Sequence, residues 1–164
     1  MSPLSPGAAS AVPSPPLCHL PAGPSHCRAL VVVAGGGRDL DWSSTVVATV
    51  LRQATHGRLV QLLLHGGARG ADRAIAAAAH RLGWAVEAMP AQWARYGPAA
   101  GPVRNGQMLR RASEEASAFA RVTPTGVLVV AFPGRQGTAS LLQQARRLQG
   151  LSALPIEVLD LADA

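Results

Sequence analysis

Glycine and arginine recur together at three points of the chain, each time directly after a run of apolar residues, at 35–39, 65–72 and 133–138. Glycine lets the backbone approach a phosphate closely, and the first N–H groups of a helix attract an anion. Arginine can clamp phosphate oxygens in a bidentate way. One such loop is weak evidence, because glycine after a buried strand is commonly only a tight turn. Three of them predict a phosphate or sugar-phosphate site made of Gly36, Gly37, Arg38, His65, Gly66, Gly67, Arg69, Asp72, Gly134, Arg135, Gly137 and Thr138.

Two polar residues of the second loop have a structural and a functional interpretation of similar weight. Asp72 falls in the first turn of a predicted helix, where a carboxylate stabilises the helix start. The same carboxylate could hold ribose hydroxyls or orient an arginine of the loops. His65 ends a predicted buried strand, where a structural histidine is at least as common as a catalytic one. If the protein has a catalytic site, Asp72 and Arg104 are our candidates for it.

The stretch 90–105 is predicted to be a long loop after the third strand, and long ordered loops at the ligand end of a sheet are often functional. It contains Trp93 and the only tyrosine, Tyr96. Either aromatic ring could stack on a base, although packing between loop and sheet is the expected fate of at least one of them. Arg104 and Asn105, at the start of the following helix, could add phosphate contacts.

Short apolar runs alternate with longer stretches of helical spacing from residue 29 onward. Strands are predicted at 29–34, 59–64, 85–89, 126–132 and 156–161, and helices at 43–55, 71–82, 102–119 and 138–148. This alternation is typical of an α/β fold, a Rossmann-like three-layer α/β/α sandwich with a mostly parallel five-stranded sheet. In such a sheet the three glycine-rich loops open at the same edge, beyond the carboxyl ends of the strands.

The first 27 residues hold seven of the 13 prolines and no Asp, Glu, Lys or Arg, so we expect a disordered leader at 1–27 and one folded domain at 28–164, which holds the three glycine-rich loops. No apolar run approaches the roughly 20 residues of a membrane span, and no signal peptide is visible. We therefore expect no membrane association and a cytoplasmic location. Cys18, His19, His26 and Cys27 could meet a zinc ion, but their spacing is not a usual finger pattern, so no metal is predicted.

All 15 basic residues are arginine, against nine acids, for a net charge of +6. The excess is concentrated at 58–111, which holds eight arginines and two acids. Such a field favours an anionic partner, either a nucleotide or a nucleic acid. A groove that follows a nucleic acid strand usually interleaves aromatic and basic residues, and that pattern is missing here. The charge itself does not choose between a nucleotide and single-stranded DNA, and the missing pattern counts against the DNA.

Four ordered motifs together resemble the YspA-type branch of the SLOG superfamily, a Rossmann-like group that includes the LOG phosphoribohydrolases and the DNA-processing protein DprA. They are Gly37-Arg38, HGGARGAD at 65–72, PAxWxxYGxxAGPxRNxxM at 90–108 and FPGxxGT at 132–138. The resemblance implies a pocket that senses or processes nucleotide-derived ligands, often in phage or bacterial conflict. It also implies a homodimer, and no motif requires a cofactor.

Two departures from the family pattern bear on the reaction. Arg135 stands where the family usually has the second glycine of PGGxGT. Gln92 stands where the family commonly has an acid, directly after the Pro-Ala of the motif at 90–108. LOG-type hydrolases have a glutamate just after PGGxGT, whereas residues 138–141 here read Thr-Ala-Ser-Leu. The LOG mechanism therefore cannot be transferred, and an N-glycosidic hydrolase would need Asp39, Asp41 or Asp72 instead. A sensor or sequestering protein is the preferred function, with such a hydrolase and DprA-like DNA binding as alternatives.

Overall fold

A computed structural model describes residues 27–162 of the chain. Most of the predicted leader lies outside this range, together with the Cys18, His19 and His26 members of the candidate zinc set. Cys27, placed in the leader by its sequence, is buried. Its sulfur lies 3.0 Å from the position that a Cβ atom at Gly126 would occupy. Burial is the main cause that raises the pKa of the Cys27 thiol.

Five strands form a single sheet. They are β1 (Ala29–Gly35), β2 (Leu59–His65), β3 (Val86–Ala88), β4 (Thr125–Ala131) and β5 (Ile156–Asp160). All neighbouring pairs are parallel, and the order across the sheet is β3-β2-β1-β4-β5. The predicted Rossmann-like α/β fold is therefore confirmed, and the sheet is fully parallel.

Helices cover both faces of the sheet. They are α1 (Ser44–Thr55), α2 (Ala71–Arg81), α3 (Trp93–Tyr96), α4 (Ala100–Phe119) and α5 (Gln136–Leu151). Because successive side chains of a strand point to opposite faces, Leu30 and Val32 pack with α1 and α2, whereas Val31 and Val33 pack with α4 and α5. This double burial explains why β1 is apolar throughout. None of the helices in residues 27–162 combines the length and the apolar character needed to cross a membrane.

The prediction of a long loop at 90–105 is wrong. This stretch holds α3, a 3-10 turn at Gly97–Ala99 and the first turn of α4. Proline is normally a sign of irregular structure, so Pro98 favours a loop, whereas the helix predicted at 102–119 is present and begins at Ala100. Pro98 and Pro102 both lie in first turns, where backbone N–H groups have no partner within the helix, so proline removes no helical hydrogen bond there.

Candidate functional site

The three glycine-rich loops meet at the carboxyl edge of the sheet, as predicted from their positions after β1, β2 and β4. The backbone N–H of Gly37 donates to the Pro133 carbonyl at 2.9 Å, and the Gly37 carbonyl accepts from Ala71 N–H at 3.0 Å. A Cβ atom at Gly36 would lie 2.7 Å from the Phe132 Cβ and 2.8 Å from the Ala71 Cβ. The loop after β1 is therefore packed between the other two, and its contacts leave no space for a side chain at 36.

The three helices that follow these loops differ in how their N-termini are satisfied. Helix α1 is capped by the Ser43 hydroxyl, which accepts from Val46 N–H. In α2, Ala71 N–H is used by Gly37, and the first turn carries a carboxylate, Asp72. Both devices make these two helix starts poor anion sites, because the donors are occupied or a negative charge is already present.

Helix α5 begins without any of these devices. Within residues 27–162 it has no side-chain cap and no acid in its first turn. Residues 134–137 ahead of and inside this turn are exposed. The Thr138 hydroxyl is buried and has no hydrogen-bond partner in the described part of the chain. Gly134 lies over it, since a Cβ atom there would be 2.0 Å from the Thr138 Oγ1. The start of α5 is thus the open donor group of the site.

Arg104 and Asn105 connect the loop after β2 to the start of α5. Arg104 donates from Nη1 to the Gly66 carbonyl at 2.8 Å and from Nε to Asn105 Oδ1 at 3.1 Å. Asn105 in turn donates to the Gly137 carbonyl at 3.1 Å. Gly66 is required for this arrangement, because a Cβ atom there would lie 1.7 Å from Arg104 Nη1. The Nη2 group of Arg104 makes no hydrogen bond within residues 27–162.

Asp72 lies beside this chain of contacts. Only 4% of the residue is exposed. One carboxylate oxygen, Oδ2, accepts from Ala68 N–H at 3.0 Å, and the other has no partner among the described residues. Burial raises the pKa of Asp72, while the Ala68 N–H and the nearby Arg104 charge oppose this shift. Asp72 therefore holds the second loop in place, which favours the structural interpretation of this residue.

The surroundings of His65 favour its neutral form. Burial lowers the pKa of its imidazole, with Asp72 acting in the opposite direction. Nδ1 accepts from Gly67 N–H at 3.1 Å, which places the proton of the neutral ring on Nε2. Burial also lowers the pKa of Arg104, again opposed by Asp72. The histidine shapes the turn at Gly67, whose φ is +66°.

The raised pKa of Asp72 predicts a pH-dependent stability. A carboxyl group that holds its proton more tightly when folded makes the folded state less stable as the pH rises from the ordinary range of aspartate through the raised pKa. Asp72→Asn removes this effect, so the free energy of unfolding of the variant, relative to the wild type, should rise with pH across that window. Urea unfolding of both proteins between pH 3.5 and 7 measures the difference.

The control for this experiment is Asp41→Asn, which removes an exposed carboxylate from the same edge of the sheet. A difference between wild type and Asp72→Asn that stays flat or falls with pH would contradict the assignment. If the variant does not fold, the carboxyl carbon of Asp72 can be titrated by NMR in the wild type, where the pKa itself must lie above the ordinary range.

The remaining predicted residues lie around this centre. The Cζ atom of Arg38 lies 5.4 Å from the centroid of the Trp93 ring, so the structure brings these two together. Arg69 and Arg135 are exposed and form no ion pair within residues 27–162. In the same range no three histidine, cysteine or acidic side chains converge as metal ligands would.

Gly70 was not among the predicted site residues, although it is essential to the geometry. It has φ +74°, and a Cβ atom there would lie 2.2 Å from the Arg38 carbonyl oxygen. The signal that could have identified it is its position, since it directly precedes a helix whose first turn carries an aspartate.

Comparison with known proteins supports the predicted resemblance. Residues 30–96 match the model of a family described as YAcAr, the YspA, cpYpsA-related SLOG family. The match includes the loops after β1 and β2 and reaches the end of α3, and the resemblance to the YspA-type branch is thereby confirmed. Arg104 and the FPGxxGT motif lie beyond the matched residues. Searches of curated proteins and of solved structures found no match.

Proposed function

Since residues 30–96 match a SLOG family, we propose that the protein binds a nucleotide or a nucleotide-derived signalling ligand whose phosphate lies on the N-terminus of α5, in a sensor or sequestering role. One observation carries the proposal. Among the three helices that follow the glycine-rich loops, α5 alone starts, within residues 27–162, with neither a side-chain cap nor an acid. The similarity to SLOG proteins supports nucleotide-related chemistry, and the geometry supports α5 as the phosphate position.

The first turn of α5 offers what a phosphate needs. The N–H groups of Gln136, Gly137 and Thr138 precede the first bond of the helix, which Ala139 N–H makes to the Arg135 carbonyl. The buried Thr138 hydroxyl, which has no partner among the described residues, carries a free-energy cost that a phosphate oxygen would remove once Gly134 moves aside. Arg135, exposed and next to these donors, adds a charge that can move onto the anion.

The rest of the ligand would lie over the glycines after β1, towards Arg104. Neighbouring strands are ~4.8 Å apart, so β4, β1 and β2 place the start of α5, the Gly36–Gly37 floor and the Arg104 guanidinium in a row. Arg104 Nη2 is the donor that faces no partner within residues 27–162. This arrangement suits a sugar phosphate that carries a further group, as in a nucleotide.

Binding is favoured over turnover because of the position of the carboxylates. Residues 138–141 contain none. Asp72, the carboxylate whose charge opposes the lowering of the Arg104 pKa, is buried. One of its oxygens accepts a hydrogen bond from Ala68 N–H. A glycosidase needs a carboxylate that reaches the sugar carbon, and Asp72 is covered in this arrangement.

The proposal is tested by thermal unfolding of the purified protein with inorganic phosphate, ribose 5-phosphate, AMP and ADP-ribose. A compound that binds only the folded state adds about 2.7 kcal/mol at 100 times its dissociation constant, which a melt detects. Stabilisation by compounds that mass spectrometry recovers intact supports binding. Their conversion would replace binding by hydrolysis as the function, and the absence of any shift would overturn the proposal.

Thr138→Val should have opposite effects on stability and on binding. Valine has the shape of threonine and removes the buried hydroxyl, so the free energy of unfolding without ligand should stay unchanged or rise by up to about 1 kcal/mol. Affinity for ribose 5-phosphate should fall about tenfold, because a hydrogen bond to a charged oxygen is lost. Unfolding by urea and isothermal titration calorimetry give the two numbers.

Thr45→Val, on the exposed surface of α1, is the matched control and should leave affinity unchanged. If Thr138→Val lowers stability by more than about 1 kcal/mol, the hydroxyl has a structural partner and its assignment to the ligand is wrong.

A further inference from the structure

Arg38 and Trp93 form a contact across the carboxyl edge of the sheet. Arg38 follows β1 and Trp93 begins α3 beyond β3, so the contact passes over the end of β2, which lies between these strands. Trp93 is 50% exposed, and α3 buries none of its four residues. A large aromatic side chain with half its surface open, on the rim of the candidate site, is the unusual feature here.

We infer that Trp93 is the stacking platform for the base of the ligand, and that the Arg38 guanidinium leaves the Trp93 ring for the ligand when the base takes its place. This inference rests on the proposed function and names the ligand class more closely. The ligand carries an aromatic base, and a sugar phosphate without a base is a poor substitute.

The Trp93 ring is supported independently of Arg38. Its Cη2 atom lies 3.9 Å from the position of a Cβ atom at Gly101, so the ring rests against the first turn of α4. The backbone of Arg38 is also held without its side chain, because the Arg38 carbonyl is in close approach to Gly70. The guanidinium can therefore move while both the ring and the loop stay in place.

The exchange is favourable on general grounds. An exposed cation over an aromatic face is a weak contact, and a base stacked on the same face is stronger. The released guanidinium gains a charge-assisted hydrogen bond to a phosphate or sugar oxygen. The second such contact in the described structure, Arg95 over Tyr96, joins neighbours within α3 and connects no separate elements. Arg38 and Trp93 are the pair that links two separate elements of the site, the loop after β1 and helix α3.

The position of Trp93 agrees with a base at the far end of the ligand. The start of α5 follows β4, and Trp93 follows β3, three strand spacings away, or ~14 Å. A phosphate on α5 with its sugar over the loops after β1 and β2 leaves the next group, the base, directed towards β3. A ligand that ends at the sugar does not reach this side.

The test compares AMP with ribose 5-phosphate on wild type, Trp93→Leu and Trp93→Phe, using calorimetry and tryptophan fluorescence. In the wild type, AMP should bind about 5- to 100-fold more tightly than ribose 5-phosphate and should change the tryptophan emission. Trp93→Leu should reduce AMP affinity to that of ribose 5-phosphate, leave the latter unchanged and abolish the fluorescence change. Trp93→Phe, which keeps an aromatic face, should retain most of the preference for AMP.

The outcomes separate this inference from the proposed function. If both ligands bind the wild type equally and Trp93→Leu changes neither, the inference is overturned and phosphate binding stands. If neither ligand binds the wild type, the proposed function has failed, and the inference fails with it. Arg38→Ala adds a further check, since AMP must still change the emission of this variant although it binds more weakly.

Discussion

Gly137→Asp is expected to abolish phosphate binding while the fold stays intact. Gly137 lies in the exposed first turn of α5, and a Cβ atom there meets nothing within 4 Å. The new carboxylate would lie beside the position proposed for the anion. Two like charges ~4 Å apart near a protein surface repel by about 4 kcal/mol, so affinity for ribose 5-phosphate should fall by at least about 100-fold. Calorimetry with the purified variant measures the loss.

The stability of the Gly137→Asp variant should increase, although its affinity for phosphate falls. An acid in the first turn of a helix interacts favourably with the helix dipole, and a side chain at 137 meets no neighbouring atom. The free energy of unfolding should therefore rise by about 0.3–1 kcal/mol at low salt. Gly137→Asn is the matched control, because it has the same shape without the charge and should retain most of the affinity. Equal loss of binding in the aspartate and asparagine variants would mean that bulk, not charge, is responsible, and would contradict a phosphate at this position.

Much of the fold could be predicted from the sequence because parallel strands that are buried on both faces consist of continuous runs of apolar residues. All five strands were found within two residues of their ends, and the meeting of the three glycine-rich loops followed from the geometry of a parallel sheet. Helix α3 and the 3-10 turn at Gly97–Ala99 were missed because proline and glycine in first turns resemble loop residues. Local sequence alone does not show whether a proline stands in a first turn.

The state of each helix N-terminus could not be predicted, since it depends on contacts between residues far apart in the chain. The Gly37 carbonyl accepts a hydrogen bond from the N–H of Ala71, 34 positions later. The Asp72 carboxylate accepts one from Ala68 N–H, in the loop before its own helix. From sequence, all three loops were equivalent phosphate candidates. The structure separates them, because among these three helices only α5 begins, within the described residues, with neither a side-chain cap nor an acid in its first turn. The contact between Arg38 and Trp93 was likewise beyond prediction, since it joins the loop after β1 to helix α3, on either side of β2.

Gly70→Ala is expected to be the most destabilising single change at this edge of the sheet. Its φ of +74° belongs to a region that L residues rarely adopt, and a Cβ atom would lie 2.2 Å from the Arg38 carbonyl oxygen and 2.7 Å from that of Gly37. Backbone oxygens in a packed loop cannot move aside as a flexible side chain can. Strain of about 1–3 kcal/mol and overpacking of a similar size combine, so the free energy of unfolding should fall by about 2–5 kcal/mol.

Gly57→Ala gives the cost of a side chain at a positive φ without a close approach, because Gly57 has φ +73° and nothing within 4 Å of a Cβ atom. It should cost about 1–2 kcal/mol, the ordinary penalty of a left-handed conformation. Urea unfolding of both variants gives the comparison, and equal losses would show that the close approach of Gly70 to Arg38 is not a packing constraint. A larger loss for Gly70→Ala means that the backbone of Arg38 can take its position only when residue 70 has no side chain. The reach of the Arg38 guanidinium to Trp93 or to a ligand then depends on glycine at this position.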